Sequence, residues 1–349
     1  MMEGREEEEI MAATAANYYS KDFEWDHLRQ EIENNPCHAH HLLPFPKQDD
    51  QQHTLLCSPQ EDDDSEAWSK FHTRHSTGKF FKERRYLLKE FPELASCGEC
   101  STILEIGCGN GSTALAILRG NKSISLYACD CSKEALERAK ENIEAANINL
   151  AKERFYPFQC DFSASRFPNW LACTACRENF FQKQSMCISD ARSCSKQDFP
   201  SAKNNSCIGG VDFVTLIFTL SAVPLHRMSR AITECFSVLK PGGLLLFRDY
   251  GLYDMTMLRF EPEQRVGYRE YMRCDGTRSY FFCLDGVRDL FCATGFTELE
   301  LEYCCVQSVN RQNGKIMQRV WIHGKFQRPH VHFAMLLEGE LLLFLWKRM

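Results

Sequence analysis

A chain of 349 residues with 44% apolar and 12% aromatic side chains can bury one sizeable core with decorations, and its opening, Glu6 to Glu9 and then a short Met/Ala stretch, is not expected to act as a secretory leader. Nineteen cysteines without a repeating framework read as reduced thiols of a cytoplasmic or nuclear protein rather than as a disulfide scaffold. The net charge of −6 hides two unlike regions: residues 1–66 carry four basic and 17 acidic side chains, a net of −13, so the other 283 residues carry a net of +7.

Residues 1–66 are acidic and weakly periodic, ending Gln60-Glu61-Asp62-Asp63-Asp64-Ser65-Glu66, and are expected to be mostly disordered. From Ala67 aromatic and basic residues interleave, which predicts an N-terminal helical cap over 67–96. Its stretch 67–90 carries seven basic and two acidic groups; a phosphate-binding patch and a solvated helix face both explain it. Strand and helix then alternate. Thr102 to Ile106 reads as a strand, Gly107 to Gly111 as a glycine turn, and the next residues through Leu118 as a helix. Ile124 to Cys129 is a second strand ending at Asp130, and Ser132 caps a helix with Ala135, Leu136, Ala139 and Ile143 on one face. Phe155 to Cys160 and Val211 to Leu220 are the third and fourth strands, and the helix Leu225–Leu239 leads through Lys240-Pro241-Gly242-Gly243 to a fifth at Leu244–Phe247. Such alternation implies a parallel sheet with helices on both faces. After a helix at Asp285–Ala293, the segments Thr297–Val309 and Lys315–Phe326 read as a closing hairpin. Residues 162–210 are expected to be a surface insertion and 330–349 an unassigned tail. Two glutamates interrupt the leucine run of that tail, which is too short for a membrane span, so no membrane partner is expected.

The run Leu104-Glu105-Ile106-Gly107-Cys108-Gly109-Asn110-Gly111 places glycines at alternate positions after a strand, where a ligand can lie against the backbone at the carboxyl edge of the sheet. A dinucleotide fingerprint wants its third glycine where this chain has Ser112, so the register favours S-adenosylmethionine over NAD. Asp130, ending strand two, can accept both ribose hydroxyls; Asp161, ending strand three, can meet the adenine edge; Glu105 sits where it can organise the loop and the ligand's ammonium. Each acid alone could be an ordinary cap or surface carboxylate, and it is their joint placement at consecutive strand ends that points to a cofactor. Strand four runs into Leu216-Ile217-Phe218-Thr219-Leu220-Ser221-Ala222-Val223 and lacks the Asn/Asp-Pro-Pro-aromatic turn common where exocyclic base amines are methylated.

Four segments share one likeness. Phe80-Phe81-Lys82-Glu83-Arg84-Arg85, Leu216 through Val223, Leu246-Phe247-Arg248-Asp249-Tyr250-Gly251-Leu252-Tyr253-Asp254 through Phe260, and Asp275-Gly276-Thr277-Arg278-Ser279-Tyr280-Phe281-Phe282 resemble the tRNA 3-methylcytidine methyltransferases, over about Trp68 to Pro329. The resemblance implies a Rossmann-like class I methyltransferase domain over 67–329, with a seven-stranded, mostly parallel sheet, a C-terminal antiparallel hairpin and the N-terminal helical cap. It implies methyl transfer from S-adenosylmethionine to N3 of a cytidine in the tRNA anticodon loop, and an aminoacyl-tRNA synthetase or other accessory protein that selects the tRNA as a possible partner. By the same resemblance Trp68, His72, Gly107, Asp130, Asp161 and Ile217 line the cofactor pocket, although His72 stands where the family leads us to expect a tyrosine. Glu105, Gly109 and Gly111 complete that set.

At the target, Asp249 is the candidate carboxylate beside the base, with Tyr250 as stacking partner and Arg248 next to them. Lys79, Lys82, Arg84, Arg85, Arg259 and Arg278 are candidate RNA contacts, internal ion pairs being the competing use of each arginine; Arg84 could instead reach inward to the cofactor. Cys97-x-x-Cys100 and Cys173-x-x-Cys176 are 72 or more residues apart and are expected not to form a metal site, nor is His38-Ala39-His40-His41. Two other readings stay open: methylation of a protein or small molecule, and a non-catalytic RNA- or partner-binding subunit.

Overall fold

The computed structural model describes residues 22–45, 63–75, 82–148, 151–177, 207–309, 314 and 316–330. The central sheet comprises β1 (Thr102–Ile106), β2 (Ser125–Asp130), β3 (Phe155–Gln159), β4 (Val211–Ile217), β5 (Leu239–Tyr250), β9 (Thr297–Val309) and β10 (Ile316–Gln327), in the order β3-β2-β1-β4-β5-β10-β9. The first five strands are parallel, and β10 runs antiparallel to both β5 and β9, as the alternation and the closing hairpin led us to expect. From Ile103 to Ile106, β1 is buried on both faces, which explains its unbroken apolar run around Glu105.

Both faces are covered. On one, Leu87–Glu90 (α3), Glu93–Ser96 (α4), Ser112–Gly120 (α5) and Lys133–Ala145 (α6) bury Ile103, Leu126, Ile117 and Ile143 together. On the other, Leu225–Val238 (α7) and Leu284–Cys292 (α8) enclose Leu104, Leu216, Phe247 and Phe291. The segment at Lys240-Pro241-Gly242-Gly243 lies within β5, which is longer than its apolar run suggested, and a register shift opposite Val211 and Phe213 absorbs it.

Three regions differ from the sequence reading. Residues 22–45, inside the stretch expected to lack structure, fold onto the body. Trp25–Glu33 (α1) buries Leu28 and Ile32 against Leu252, Met257 and Phe260, and Trp25 stacks on Tyr303 at 4.6 Å. The acidic composition obscured this because the apolar stripe is short and its partners lie more than 200 residues away. Residues 162–177, the start of the expected surface insertion, run through the core with Phe162, Phe167, Leu171 and Ala172 buried. Finally, β6 (Arg265–Gly267), β7 (Glu270–Met272) and β8 (Arg278–Tyr280) form a separate small antiparallel sheet. Among the described residues no helix is long and apolar enough to cross a membrane.

Candidate functional site

A cavity of about 690 Å³ opens at the carboxyl ends of β1 to β4, lined by Trp68, His72, Gly107, Gly109, Asp130, Asp161, Ile217 and Tyr250 among others. The glycine turn makes room for it. Gly107 and Gly109 have φ of +66° and +52°, and a Cβ on Gly107 would lie 2.4 Å from the Thr219 side chain. Thr219 cannot yield easily, since its Oγ1 donates to the Ile106 carbonyl and ties the end of β4 to β1. Gly111, also left-handed, starts α5 behind the cavity wall.

Asp130 is nearly buried, its Oδ2 accepting from the Gly109 amide at 2.9 Å and its Oδ1 from the Ser132 amide at 3.0 Å. The residue lines the cavity, and a carboxylate oxygen can accept more than one hydrogen bond. Asp161 Oδ1 accepts from Ser163 and Ala164, and Oδ2 from the Ser65 hydroxyl at 2.8 Å. Burial works to raise the Asp161 carboxyl, and the hydrogen bonds from Ser163 and Ser65 outweigh it, leaving the group below its ordinary value. Ser65 belongs to Asp63–Arg74 (α2), which lies over α6 and roofs the cavity with Trp68, Phe71 and His72. Burial holds the His72 ring below its ordinary value against the pull of Asp130 and Glu134, so it faces the cavity as a neutral imidazole near neutral pH.

Glu105 lies beneath the glycine turn, and burial pushes its carboxyl up to about 8, opposed by Arg84 and Thr113. Its Oε2 is buried with no hydrogen-bond partner. A proton kept on folding between the unfolded value near 4.5 and about 8 means that the cofactor-free chain loses stability as pH rises through this window. Glu105→Gln should remove that slope, up to about 1.4 kcal/mol per pH unit, in thermal unfolding followed from about pH 5 to 8. Parallel curves for wild type and variant would clear Glu105 as its source.

Several sequence-predicted residues fall elsewhere. Asp249 is fully buried with its carboxylate accepting from the Ser221 and Tyr250 amides, and burial raises it to about 6; it braces the loop after β4 and does not line the cavity. Arg248 pairs with buried Glu90 and lies over the Tyr86 and Trp321 rings, so it is framework too. Arg278 is held by Glu270 at 2.8 Å and Asp64 at 3.5 Å, which withdraws it from any phosphate. Arg259, Lys82 and Arg85 are exposed, Arg85 pairing with Glu83, while Lys79 lies outside the described residues. Arg84 takes the inward alternative: it donates to Thr113 Oγ1 at 3.1 Å, lies over the Phe218 ring and lines the cavity. His40 and His41 bind the Phe260 carbonyl and the Tyr271 hydroxyl and serve packing.

Phe218 escaped the sequence reading. It lines the cavity beside Tyr250, ring centroids 5.2 Å apart, with φ of +57°, a strained value for an aromatic residue that tertiary contacts must hold. Nothing local in the sequence signals such a backbone angle.

Residues 79–301 match a family model described as a methyltransferase domain. The chain is 36% identical over 273 residues to tRNA N(3)-cytidine methyltransferase METTL6 of Homo sapiens, covering 77% of this chain and 82% of that protein. It belongs to the tRNA N(3)-cytidine methyltransferase family. Within this family, tRNA N(3)-cytidine methyltransferase METTL2 of Xenopus tropicalis is 28% identical over 344 residues, 88% of each chain. Among solved structures, a SAM-dependent methyltransferase from Anabaena variabilis is 13% identical with a TM-score of 0.48, covering 76% of this chain and 94% of that one.

The cofactor of this family's fold is S-adenosylmethionine, and the residues present fit it. The glycine turn leaves the cradle open, Asp130 would offer acceptors to a ribose, Asp161 and Ser163 would offer polar groups to an adenine, and the unpartnered Glu105 oxygen beside Arg84 would suit the ammonium and carboxylate of an amino-acid end.

Proposed function

We propose that this protein methylates N3 of a cytidine in the anticodon loop of tRNA. The observation that carries the reading is the Phe218–Tyr250 pair, which lines the same cavity as Asp130, Asp161 and the glycine turn that fit the cofactor. Bound S-adenosylmethionine supplies a methyl group on a sulfonium. N3 of neutral cytosine has an in-plane lone pair already available to an electrophilic methyl, so no side chain needs to take a proton first. The protein's work is alignment and electrostatics. The two rings offer an unpaired base a stacking surface, His72 remains uncharged beside the cofactor's acids, and α2 keeps water from the roof. Because N3 sits on the pairing edge, the base must be extruded or already unpaired, as in a loop. This reading includes an accessory protein such as an aminoacyl-tRNA synthetase selecting the tRNA, and action wherever tRNA is found, in cytoplasm or nucleus.

The test is methylation of unmodified tRNA followed by nucleoside mass spectrometry and mapping of loop fragments. The methyl should appear as 3-methylcytidine in the anticodon loop; a methyl on another nucleoside, or on none, overturns the proposal. The two basic residues of the cap separate cleanly. Lys82→Ala should flatten the salt dependence of tRNA binding by about one unit of log–log slope and leave cofactor affinity unchanged. Arg84→Ala should do the reverse, weakening the cofactor about tenfold or more at constant slope. An unchanged slope in Lys82→Ala ends its assignment to phosphate.

A further inference from the structure

Three sulfurs meet away from the cofactor cavity. Cys173 and Cys176 flank the turn after Leu171 and Ala172, and Cys207 lies just before β4. Cys176 Sγ is 3.5 Å from both Cys173 Sγ and Cys207 Sγ, and all three atoms lie within 4.8 Å of one another. A tetrahedral zinc with bonds of about 2.3 Å spaces its sulfurs about 3.8 Å apart, so this triangle has nearly the size of one face of such a site. It is far too open for a disulfide, whose sulfurs are about 2.05 Å apart, and all three cysteines are free.

The backbone is arranged for thiolates. The Cys173 and Gly209 amides both donate to Cys207 Sγ at 3.1 Å, the second made possible by Gly209 and Gly210 at φ of +81° and +90°. The Cys176 and Ala175 amides face the Cys173 sulfur as well. A cysteine serving only as a small apolar side chain would be fully buried, as Cys129 and Cys235 are; these three are half-exposed. The first Cys-x-x-Cys pair provides a contrast. Cys97 is engaged by Asn121 and the Leu94 carbonyl, and Cys100 points to solvent.

We infer that Cys173, Cys176 and Cys207 form a binding site for one thiophilic divalent cation, zinc by its softness and lack of redox chemistry. Three thiol protons pass to solvent as three sulfur lone pairs bind the cation, and the fourth position takes water or an exogenous ligand. A metal here runs against the expectation, drawn from the wide spacing of the two Cys-x-x-Cys pairs, that none is held. The site clips residue 207 to the segment that carries Arg177, whose guanidinium binds the Phe167 and Ala172 carbonyls, Glu234 and Ser237. The same segment begins with Phe162 and Ser163 at the cofactor cavity, so the cation would fasten the cavity's adenine side from behind.

The test takes the full chain purified without chelator. Elemental analysis should find about one zinc per chain, retained in Cys97→Ser and lost in Cys207→Ser, and cobalt in its place should give a sulfur-to-metal charge-transfer band of three-thiolate intensity. A metal-free chain with reduced thiols and no cobalt band overturns the site, as does zinc retained in Cys207→Ser or a Cys173–Cys176 disulfide found by mass spectrometry. If Cys207→Ser does not fold, the cobalt band of the wild type decides alone. None of these readouts depends on methyl transfer, so failure here leaves the tRNA reading untouched.

Discussion

Asp130→Ala should weaken S-adenosylmethionine binding by roughly 30-fold to about 20,000-fold in calorimetry, the largest effect expected of any single change. Two ribose hydroxyls would lose their acceptors in a buried site, at about 1–3 kcal/mol each, and each 1.4 kcal/mol is about tenfold in affinity. The side chain also anchors the glycine turn through the Gly109 and Ser132 amides, so alanine frees the turn that the cofactor must lie against. Asp130→Asn separates the two roles: it keeps one acceptor and most of the shape, and should fall between wild type and alanine. Near-native affinity in the alanine variant would take Asp130 out of the cofactor site.

Phe218→Ala should lower kcat/KM for tRNA by about 5- to 100-fold, the range expected from losing one base-stacking surface worth about 1–3 kcal/mol. Cofactor affinity should hold, because the acids and glycines that fit the cofactor remain. Phe218→Tyr should retain most of the activity, since it preserves a ring of the same size. A loss appearing wholly in cofactor affinity, with tRNA turnover intact once the cofactor saturates, would sink the assignment of these rings to the target base.

What could be read from the sequence was local. The glycine turn, Asp130 at a strand end and the closing hairpin depend on neighbours within a few residues, and periodicity reveals them. The arginines depended on partners far along the chain. Arg248 finds Glu90 across 158 residues, and Arg278 finds Asp64 across 214, so charge counting could not tell a phosphate contact from an internal pair. Asp249 was misplaced for a related reason: it sits at the right strand end, but its side chain turns back to the amides of its own scaffold. The cysteines show the same rule in another form. The eye pairs Cys-x-x-Cys with Cys-x-x-Cys, whereas the fold pairs Cys173 and Cys176 with an isolated Cys207.

The roof helix α2 joins the cofactor cavity to the small sheet within one turn. Ser65 holds Asp161 at the cofactor cavity, and Asp64 reaches Arg278 on the small sheet near the loop after β4. Thermodynamic linkage then binds the two ligands to each other: whatever factor the cofactor adds to tRNA affinity by settling this helix, tRNA must return to the cofactor in full. After transfer the spent cofactor and the methylated tRNA are bound by the same reciprocity: whatever release of one does to the grip on the other, release of the other does in return.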